Sequence, residues 1–233
     1  SLEAMLTLSA QTLLTAQSSE AVTIWSAQIH HTAQSLEDCK IKSPILNMSA
    51  SWEASSTTSD WVARTTVIDG SLDYLLLNTT AAAANSSDSV PTSTVINISN
   101  TAGVNTNGVT YVAYCFSEID GYSKFGTYQG NGSTDGPFVY LGFRPKFVMF
   151  KRTDSSTSAD WTILDSVRDT YNEERLVLYP NTSGAEATGG SGVYRADFLS
   201  NGFKIRGTSN SSNGNTYIYA AFAENPFKYA LAR

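Results

Sequence analysis

The side chains that could carry out chemistry in this sequence are mainly carboxylates. Two carboxyl groups flanking a glycosidic bond suffice for its hydrolysis, and many combinations are available. The candidates are Glu118, Asp120, Asp160, Asp165, Asp169, Glu173, Glu174 and Glu224. Two of them recur along the chain, Asp160 as Asp60 and Glu224 as Glu118. Recurrent carboxylates favour a structural role over a unique active site, so we predict no catalytic residues.

Nucleophilic and metal-dependent chemistry finds little support. Histidine occurs only as His30 and His31, and no Gly-x-Ser-x-Gly elbow supplies an activated serine. Cys39 and Cys115 with one histidine pair do not make a usual zinc site, and their spacing leaves a disulfide open. We predict no cofactor and no metal, with calcium ligation by Asp135 and neighbouring carbonyls as the alternative.

Ligand binding is better supported, through aromatic and polar side chains near turns. The segment 130–136 has the glycines of a phosphate cradle but lacks the lysine and helix that such a loop needs, so we interpret it as a long turn. Trp61 and Trp161 each follow an aspartate and head an apolar strand, which favours the core. Aromatic rings among polar residues can stack on sugars or fill an interface. The predicted ligand-binding residues are Trp52, Tyr122, Tyr128, Asn131 and Asp135.

The composition predicts strands and polar turns. Hydrophobic residues make up 41% and charged residues only 15% of the 233 residues, and Ser, Thr, Asn and Gly take the place of long charged side chains. A net charge of -6 argues against a nucleic-acid partner. No apolar stretch is long enough to span a membrane.

The elements that would position these residues repeat along the chain. Residues 107–118 match residues 213–224 at an offset of 106, and both contain an apolar strand. The predicted strands 111–116 and 217–222 are apolar at every position, so both faces of each strand carry apolar side chains. This pattern predicts that both faces are buried. In the middle of the two strands, a position with a large side chain in one copy has a small side chain in the other. This difference indicates that the two strands pack against non-equivalent surfaces. The runs 138–141 and 147–150 flank Gly142 and Pro145, which predicts a hairpin-type connection.

We therefore predict an all-β fold of two pseudo-repeated β-sandwich units of jelly-roll or lectin-like type. The alternative is one merged sandwich. The expected organisation is an N-terminal segment at residues 1–20, a first unit at 21–120 and a second unit at 121–233. A short amphipathic helix is expected at residues 3–17.

Several long strings of the sequence are characteristic of one protein family. These strings are residues 111–132, 135–146, 150–154, 164–169, 197–203 and 216–230. They resemble a repeat domain of tail-fibre and other virion proteins of tailed bacteriophages. The resemblance runs from residue 60 to residue 233, whereas the first sixty residues depart from the pattern. The family has no established activity, so the resemblance implies a component of the virion rather than a reaction.

From this resemblance we expect a non-enzymatic tail-fibre or receptor-binding module, located in the tail or on the particle surface. Its expected partners are other virion proteins, further copies of itself in a trimer, and a host surface receptor or glycan, with no nucleic acid and no membrane insertion. The alternative is a capsid or tail decoration protein. A third hypothesis is a polysaccharide-degrading tailspike.

Overall fold

The described part of the chain consists of antiparallel β-strands joined by turns. A computed structural model describes residues 25–29, 39–42, 48–54, 60–92, 95–98, 104–106, 109, 111–188 and 194–225. No helix occurs in these ranges, and hence none that could cross a membrane. The all-β prediction is confirmed, while the expected helix at 3–17 lies outside the described residues.

The strands fall into two consecutive series. The first series is β1 (Trp25–Ile29), β2 (Cys39–Lys42), β3 (Met48–Ala54), β4 (Val62–Thr65), β5 (Asp73–Leu76), β6 (Ala84–Asn85), β7 (Val95–Ile98) and β8 (Tyr111–Ser117). The second series is β9 (Ser123–Gln129), β10 (Phe138–Tyr140), β11 (Pro145–Arg152), β12 (Thr162–Asp165), β13 (Leu176–Val177), β14 (Ala187–Thr188), β15 (Ala196–Leu199), β16 (Gly202–Ile205) and β17 (Thr216–Ala223).

The chain divides into two compact units that are not fully continuous in sequence. Unit 1 comprises Ser1–Thr66, Ser71–Leu76 and Asn85–Phe116. Unit 2 comprises Val67–Gly70, Leu77–Ala84 and Ser117–Arg233. The main change of unit falls between residues 116 and 117, against a predicted boundary at 120/121. Two short segments of the first half of the chain also belong to unit 2.

The larger sheets of the two units share an order of four strands. In unit 1 the larger sheet has the order β1-β8-β3-β4-β5-β6, and β2 pairs with β7. In unit 2 the larger sheet has the order β12-β11-β17-β9, and β10 pairs with β16, which pairs with β15. The order β1-β8-β3-β4 of unit 1 therefore corresponds to β9-β17-β11-β12 of unit 2, and the pair β2-β7 corresponds to β10-β16. This agreement confirms the predicted repeat, including β2 and β3 in the first sixty residues, where the sequence pattern was poor.

The core of unit 2 lies between its four-stranded and three-stranded sheets. Aromatic rings from both sheets meet there, and Tyr128 stacks on Tyr217 with ring centroids 4.8 Å apart. Phe150 and Phe203 each pack edge-on against the Tyr128 ring. Two sheets that bury their facing side chains in this way form a β-sandwich.

The repeated strand confirms the predicted burial in one copy only. In β17 both faces are covered, since Tyr217 and its outward neighbour Ile218 are both buried. In β8 the inward residues Ala113 and Cys115 are buried, but Tyr114 is 37% exposed and stacks on Trp61. The prediction of two buried faces was therefore wrong for β8, because Tyr114 finds an aromatic partner without being enclosed.

The exchange of large and small side chains has a direct structural reason. At the position of Ala113 the second copy has Tyr219, whose ring packs edge-on against Phe203 in the core. Space for this ring exists because position 126 of the neighbouring strand is glycine, where a Cβ would lie only 2.8 Å from the Tyr219 hydroxyl. Tyr219 and Gly126 therefore act as a matched pair in unit 2.

The predicted hairpin around Pro145 was wrong. β10 pairs with β16, whereas β11 pairs with β12 and β17, so the connection crosses from one sheet to the other. Gly142 still makes the predicted bend, with φ of 85°. Its backbone N–H donates to the carbonyl of Asn201, which fixes the crossing to the turn between β15 and β16.

A buried lysine anchors a segment of the first half of the chain to unit 2. Lys151 is buried, and its ammonium donates hydrogen bonds to the carbonyl oxygens of Thr80 at 2.9 Å and Ala159 at 2.6 Å. Burial lowers the pKa of Lys151 to about 8, and the nearby Asp160 carboxylate opposes this shift. The Ala83 N–H also donates to the Thr153 carbonyl at 2.8 Å. Segment 77–84 is thereby held against β11.

Replacement of this lysine tests the anchor. Lys151→Met keeps the aliphatic chain but leaves the Thr80 and Ala159 carbonyls without their donor, so we expect a loss of about 1–3 kcal/mol in the free energy of unfolding. Urea denaturation measures this loss, and hydrogen exchange in residues 77–84 should accelerate. The control is Lys146→Met, a change of an exposed lysine on the same strand. Equal stability of the two variants would contradict the anchoring role.

Candidate functional site

Most of the carboxylates considered for catalysis are held by nearby donors. Their partners are the Phe125 N–H for Glu118, the Asn181 amide for Asp160, Arg168 for Asp165, the Arg175 N–H for Asp169, Arg195 for Glu173 and Arg144 for Glu224. Glu174 differs, because both of its oxygens are buried without a hydrogen-bond donor among the described residues. In the same part of the chain, no group of three or more His, Cys, Asp or Glu side chains is placed to hold a metal.

The outer face of the three-stranded sheet presents two aromatic rings to solvent. Side chains alternate along β10, so Val139 is buried in the core while its neighbours are outside. Phe138 is 44% exposed and Tyr140 is 60% exposed. Large rings at this level of exposure, side by side on one strand, are typical of a binding surface rather than of a core.

The neighbouring strands add a row of charged residues and one glycine to this face. Phe138 lies opposite Lys204 of β16, and Lys204 lies opposite Asp197 of β15. Tyr140 lies opposite Gly202. A Cβ at Gly202 would lie 3.0 Å from atoms of the Phe138 ring, so the ring rests against the glycine. We call this surface the aromatic platform, defined by Phe138, Tyr140, Asp197, Gly202 and Lys204.

A cation from the other sheet orients one ring of the platform. The Lys124 ammonium of β9 lies 5.3 Å from the centroid of the Tyr140 ring. A cation at this distance from an aromatic face is attracted by the ring electrons. The contact restrains Tyr140 although most of its surface is open to solvent.

The loop 130–137 lies at the beginning of β10, next to the platform. Asn131 organises it: its side-chain amide donates to the Asp135 carbonyl, and its side-chain oxygen accepts from the Ser133 N–H, both at 3.0 Å. The Ser133 hydroxyl in turn accepts from the Asp135 N–H at 3.1 Å. These local bonds are those of a tight polar turn, as the glycines and small polar residues predict.

A buried asparagine holds the loop in place through side-chain hydrogen bonds. Asn213 is fully buried, and its side-chain oxygen accepts from the Asn131 N–H at 2.9 Å. Its amide donates to the carbonyls of Ser133 and Gly207, both at 2.7 Å. At Gly130 a Cβ would collide with the backbone of Asn213, so this close approach requires glycine. The loop is therefore a rigid structure, not a flexible tether.

Salt bridges join the loop to the platform. Lys204 bridges to the Asp135 carboxylate at 2.5 Å, and Arg206 approaches the same carboxylate at 3.9 Å. The hydrogen bond from Lys204 lowers the pKa of Asp135, although that side chain is 82% exposed. Arg206 also pairs with Asp197 at 2.6 Å. The carboxylate of Asp135 is thus ionised and held in place while it faces solvent.

This arrangement suits recognition of a polyhydroxylated ring. Aromatic faces stack on the apolar face of a sugar, while carboxylate and amide groups at its edge take up hydroxyl hydrogen bonds. The platform supplies the rings of Phe138 and Tyr140. The loop supplies Asp135 and Asn131 next to them.

The structure brings together two of the predicted ligand-binding residues and separates the others. Asn131 and Asp135 share the loop. Tyr122 is half-buried at the opposite end of β9, where its ring packs edge-on against Phe222 at 6.0 Å. Trp52 lies in β3 of unit 1, opposite Val62 in the strand register.

Tyr128 belongs to the core rather than to the surface. It is buried, and its hydroxyl donates to the Ser212 carbonyl at 2.9 Å. Burial raises its pKa well above the usual value. Its ring is enclosed by Phe150, Phe203 and Tyr217 and leaves no face for a ligand. The polar sequence around it misled the prediction, because the rings that enclose Tyr128 come from other strands.

Sequence reasoning missed Phe138 and Lys204 as parts of the site. Phe138 begins an apolar run, Phe138 to Leu141, that is typical of a covered strand. The available signal was the flanking sequence, since Gly136 and Pro137 precede the run and Gly142 follows it. Such a short strand between turn residues is typical of a sheet edge, where one face often remains open.

The comparison with known families covers most of the chain. Residues 44–226 match the model of a family described as a domain of unknown function (DUF7483). The chain belongs to this family. No curated protein and no solved structure matches it. The matched range takes in the loop, the platform and the strands of both units from β3 onward.

Removal of the Asn213 side chain tests the rigidity of the loop. Asn213→Ala leaves the Asn131 N–H and two carbonyls without partners, so we expect a loss of about 1–3 kcal/mol in the free energy of unfolding. Hydrogen exchange in residues 130–137 should accelerate more than elsewhere in unit 2. The control is Asn201→Ala, since Asn201 is exposed and uses its backbone carbonyl in the fold. Unchanged exchange in the loop of Asn213→Ala would contradict the proposed support.

Proposed function

We propose that this chain is a non-enzymatic structural module of a bacteriophage virion, of tail-fibre type, that binds a host-surface glycan through the aromatic platform and the loop 130–137. The observation that carries the proposal is the exposure of Phe138 at 44% and Tyr140 at 60% beside a rigid polar loop. Exposed rings of this kind are costly to solubility. Their presence on a well-packed sandwich supports a role in binding.

The surroundings of the rings favour a glycan over a protein partner. Protein interfaces have a broad apolar centre with charges confined to the rim. On the platform, Lys204 and Asp197 lie in the row directly beside Phe138. Charged groups next to stacking rings suit a ligand that offers hydroxyl groups and an apolar ring face at the same time.

A single platform of this size gives weak binding, and repetition strengthens it. Two aromatic rings and a few polar groups bury little ligand surface, so each contact contributes modestly. Several copies that engage one surface convert later binding events into intramolecular ones and raise the total affinity greatly. For this reason we propose that the chain acts as an oligomer, with a trimer as in tail fibres generally.

The experiment compares platform variants for binding to a glycan array and to intact host cells. Tyr140→Ala should lower the affinity of the best array ligand about tenfold, equivalent to about 1.4 kcal/mol, because a stacked ring is lost. The matched control is Tyr171→Ala, since Tyr171 is 83% exposed and lies outside the platform. Urea denaturation of both variants checks that the fold is intact.

Other outcomes distinguish the competing functions. Equal binding by wild type and Tyr140→Ala would contradict the role of the platform. Binding to phage particles but not to cells or glycans would favour a capsid or tail decoration protein. Release of reducing ends from host polysaccharide would favour a polysaccharide-degrading tailspike and overturn the non-enzymatic assignment.

A further inference from the structure

The segment 169–175 covers one edge of the three-stranded sheet in unit 2. β15 is the edge strand, and its other side faces β16. The Arg206 N–H of the β16 side donates to the Arg195 carbonyl at 2.8 Å. Because hydrogen-bonding direction alternates along an antiparallel strand, Ala196 and Phe198 direct their backbone groups away from β16. These groups need another partner.

Two residues of the segment supply that partner. Glu174 and Ala196 exchange both backbone hydrogen bonds, at 2.8 Å and 3.3 Å. Asn172 uses its side chain in the same way, donating to the Phe198 carbonyl at 3.0 Å and accepting from the Phe198 N–H at 2.8 Å. The segment therefore completes the edge of β15 as a short added strand would. We call residues 169–175 the edge latch.

The latch places one carboxyl group in an unfavourable position. The Glu174 residue is 1% exposed, and neither carboxyl oxygen has a hydrogen-bond donor among the described residues. A buried ionised carboxylate without donors is strongly disfavoured relative to its protonated form. Its neighbours in the latch differ, since Glu173 pairs with Arg195 and Asp169 accepts the Arg175 N–H.

Charges that face Glu174 from the surrounding elements do not compensate for this burial. Asp169 in the latch and Asp165 at the end of β12 both disfavour the ionised form, while Arg144 and Arg168 favour it. Both arginines are engaged elsewhere. Arg144 pairs with Glu224 and donates to the Phe198 carbonyl, whereas Arg168 pairs with Asp165 and Glu186.

We propose that Glu174 is a proton-dependent release for the edge latch: the latch is docked on β15 while the carboxyl group is protonated and undocks when it ionises. Burial first, and Asp169 second, raise the pKa of Glu174 from 4.5 to about 8. A raised pKa means that the docked state holds its proton more tightly than the released state. The stabilisation of docking is therefore complete below pH 4.5 and is lost as the pH rises through about 8.

Release would expose the unpaired backbone of Ala196 and Phe198. An uncovered sheet edge is a template for pairing with an extended chain. The device would thus make an edge of unit 2 available in mildly alkaline conditions and keep it closed in acid. This role is separate from the aromatic platform, which lies on the outer face of the same sheet.

The experiment measures hydrogen exchange of the Ala196 and Phe198 amides by NMR at pH 6 and pH 9, after correction for the intrinsic dependence of exchange on pH. In the wild-type protein we expect protection of these amides to fall about a hundredfold, because docking weakens tenfold per pH unit between pH 6 and the Glu174 pKa of about 8. In Glu174→Gln, which cannot ionise, protection should be the same at both pH values. Glu173→Gln is the matched control, because this neighbour is paired with Arg195, and it should behave as the wild type.

A direct titration keeps the test independent of the variants. The carbon-13 shift of the Glu174 carboxyl group in the wild-type protein should move with a midpoint near pH 8, and a midpoint below 6 would overturn the proposal. So would equal protection of wild type at both pH values, or a pH dependence retained in Glu174→Gln. If the buried glutamine prevents folding, Glu174→Met provides a second uncharged variant of similar length.

Discussion

The structure of unit 2 depends on the burial of aromatic rings between its two sheets. Tyr217 is the centre of this packing, because it stacks on Tyr128 and its hydroxyl accepts from the Gly214 N–H and donates to the Asn210 carbonyl. The ring fills the core while the hydroxyl secures the loop before β17. The same loop carries Asn213, which supports the loop 130–137. One strand therefore links the interior of the sandwich to its surface.

The first copy retains part of this arrangement. Tyr111 occupies the place of Tyr217 in the first copy, and its hydroxyl accepts the Thr106 N–H at 3.0 Å. A tyrosine that faces the core and bonds to the preceding loop is thus retained in both units. Side chains around it have diverged, as Tyr114 and Tyr219 show by facing opposite sides of their strands.

Sequence reasoning predicted the features that depend on local patterns and missed those that depend on pairing between distant strands. The repeat, the strand at 216–223 and the polar turn at 130–137 follow from composition and spacing. Burial of Tyr128 does not, because it is set by Tyr217 and Phe203, which reach it from other strands. Glu174 looks like any surface glutamate in sequence. Its isolation arises only where the latch meets β15.

The placement of residues 77–84 has a consequence for how such proteins exchange parts during evolution. In a duplicated chain, each half is expected to bring a complete fold. Here a segment of unit 2 is encoded in the first half of the chain, between β5 and β6, and is held by Lys151. A second half transferred alone would arrive with its lysine but without the Thr80 carbonyl that receives it. Inheritance of the two copies as a single block preserves this pairing.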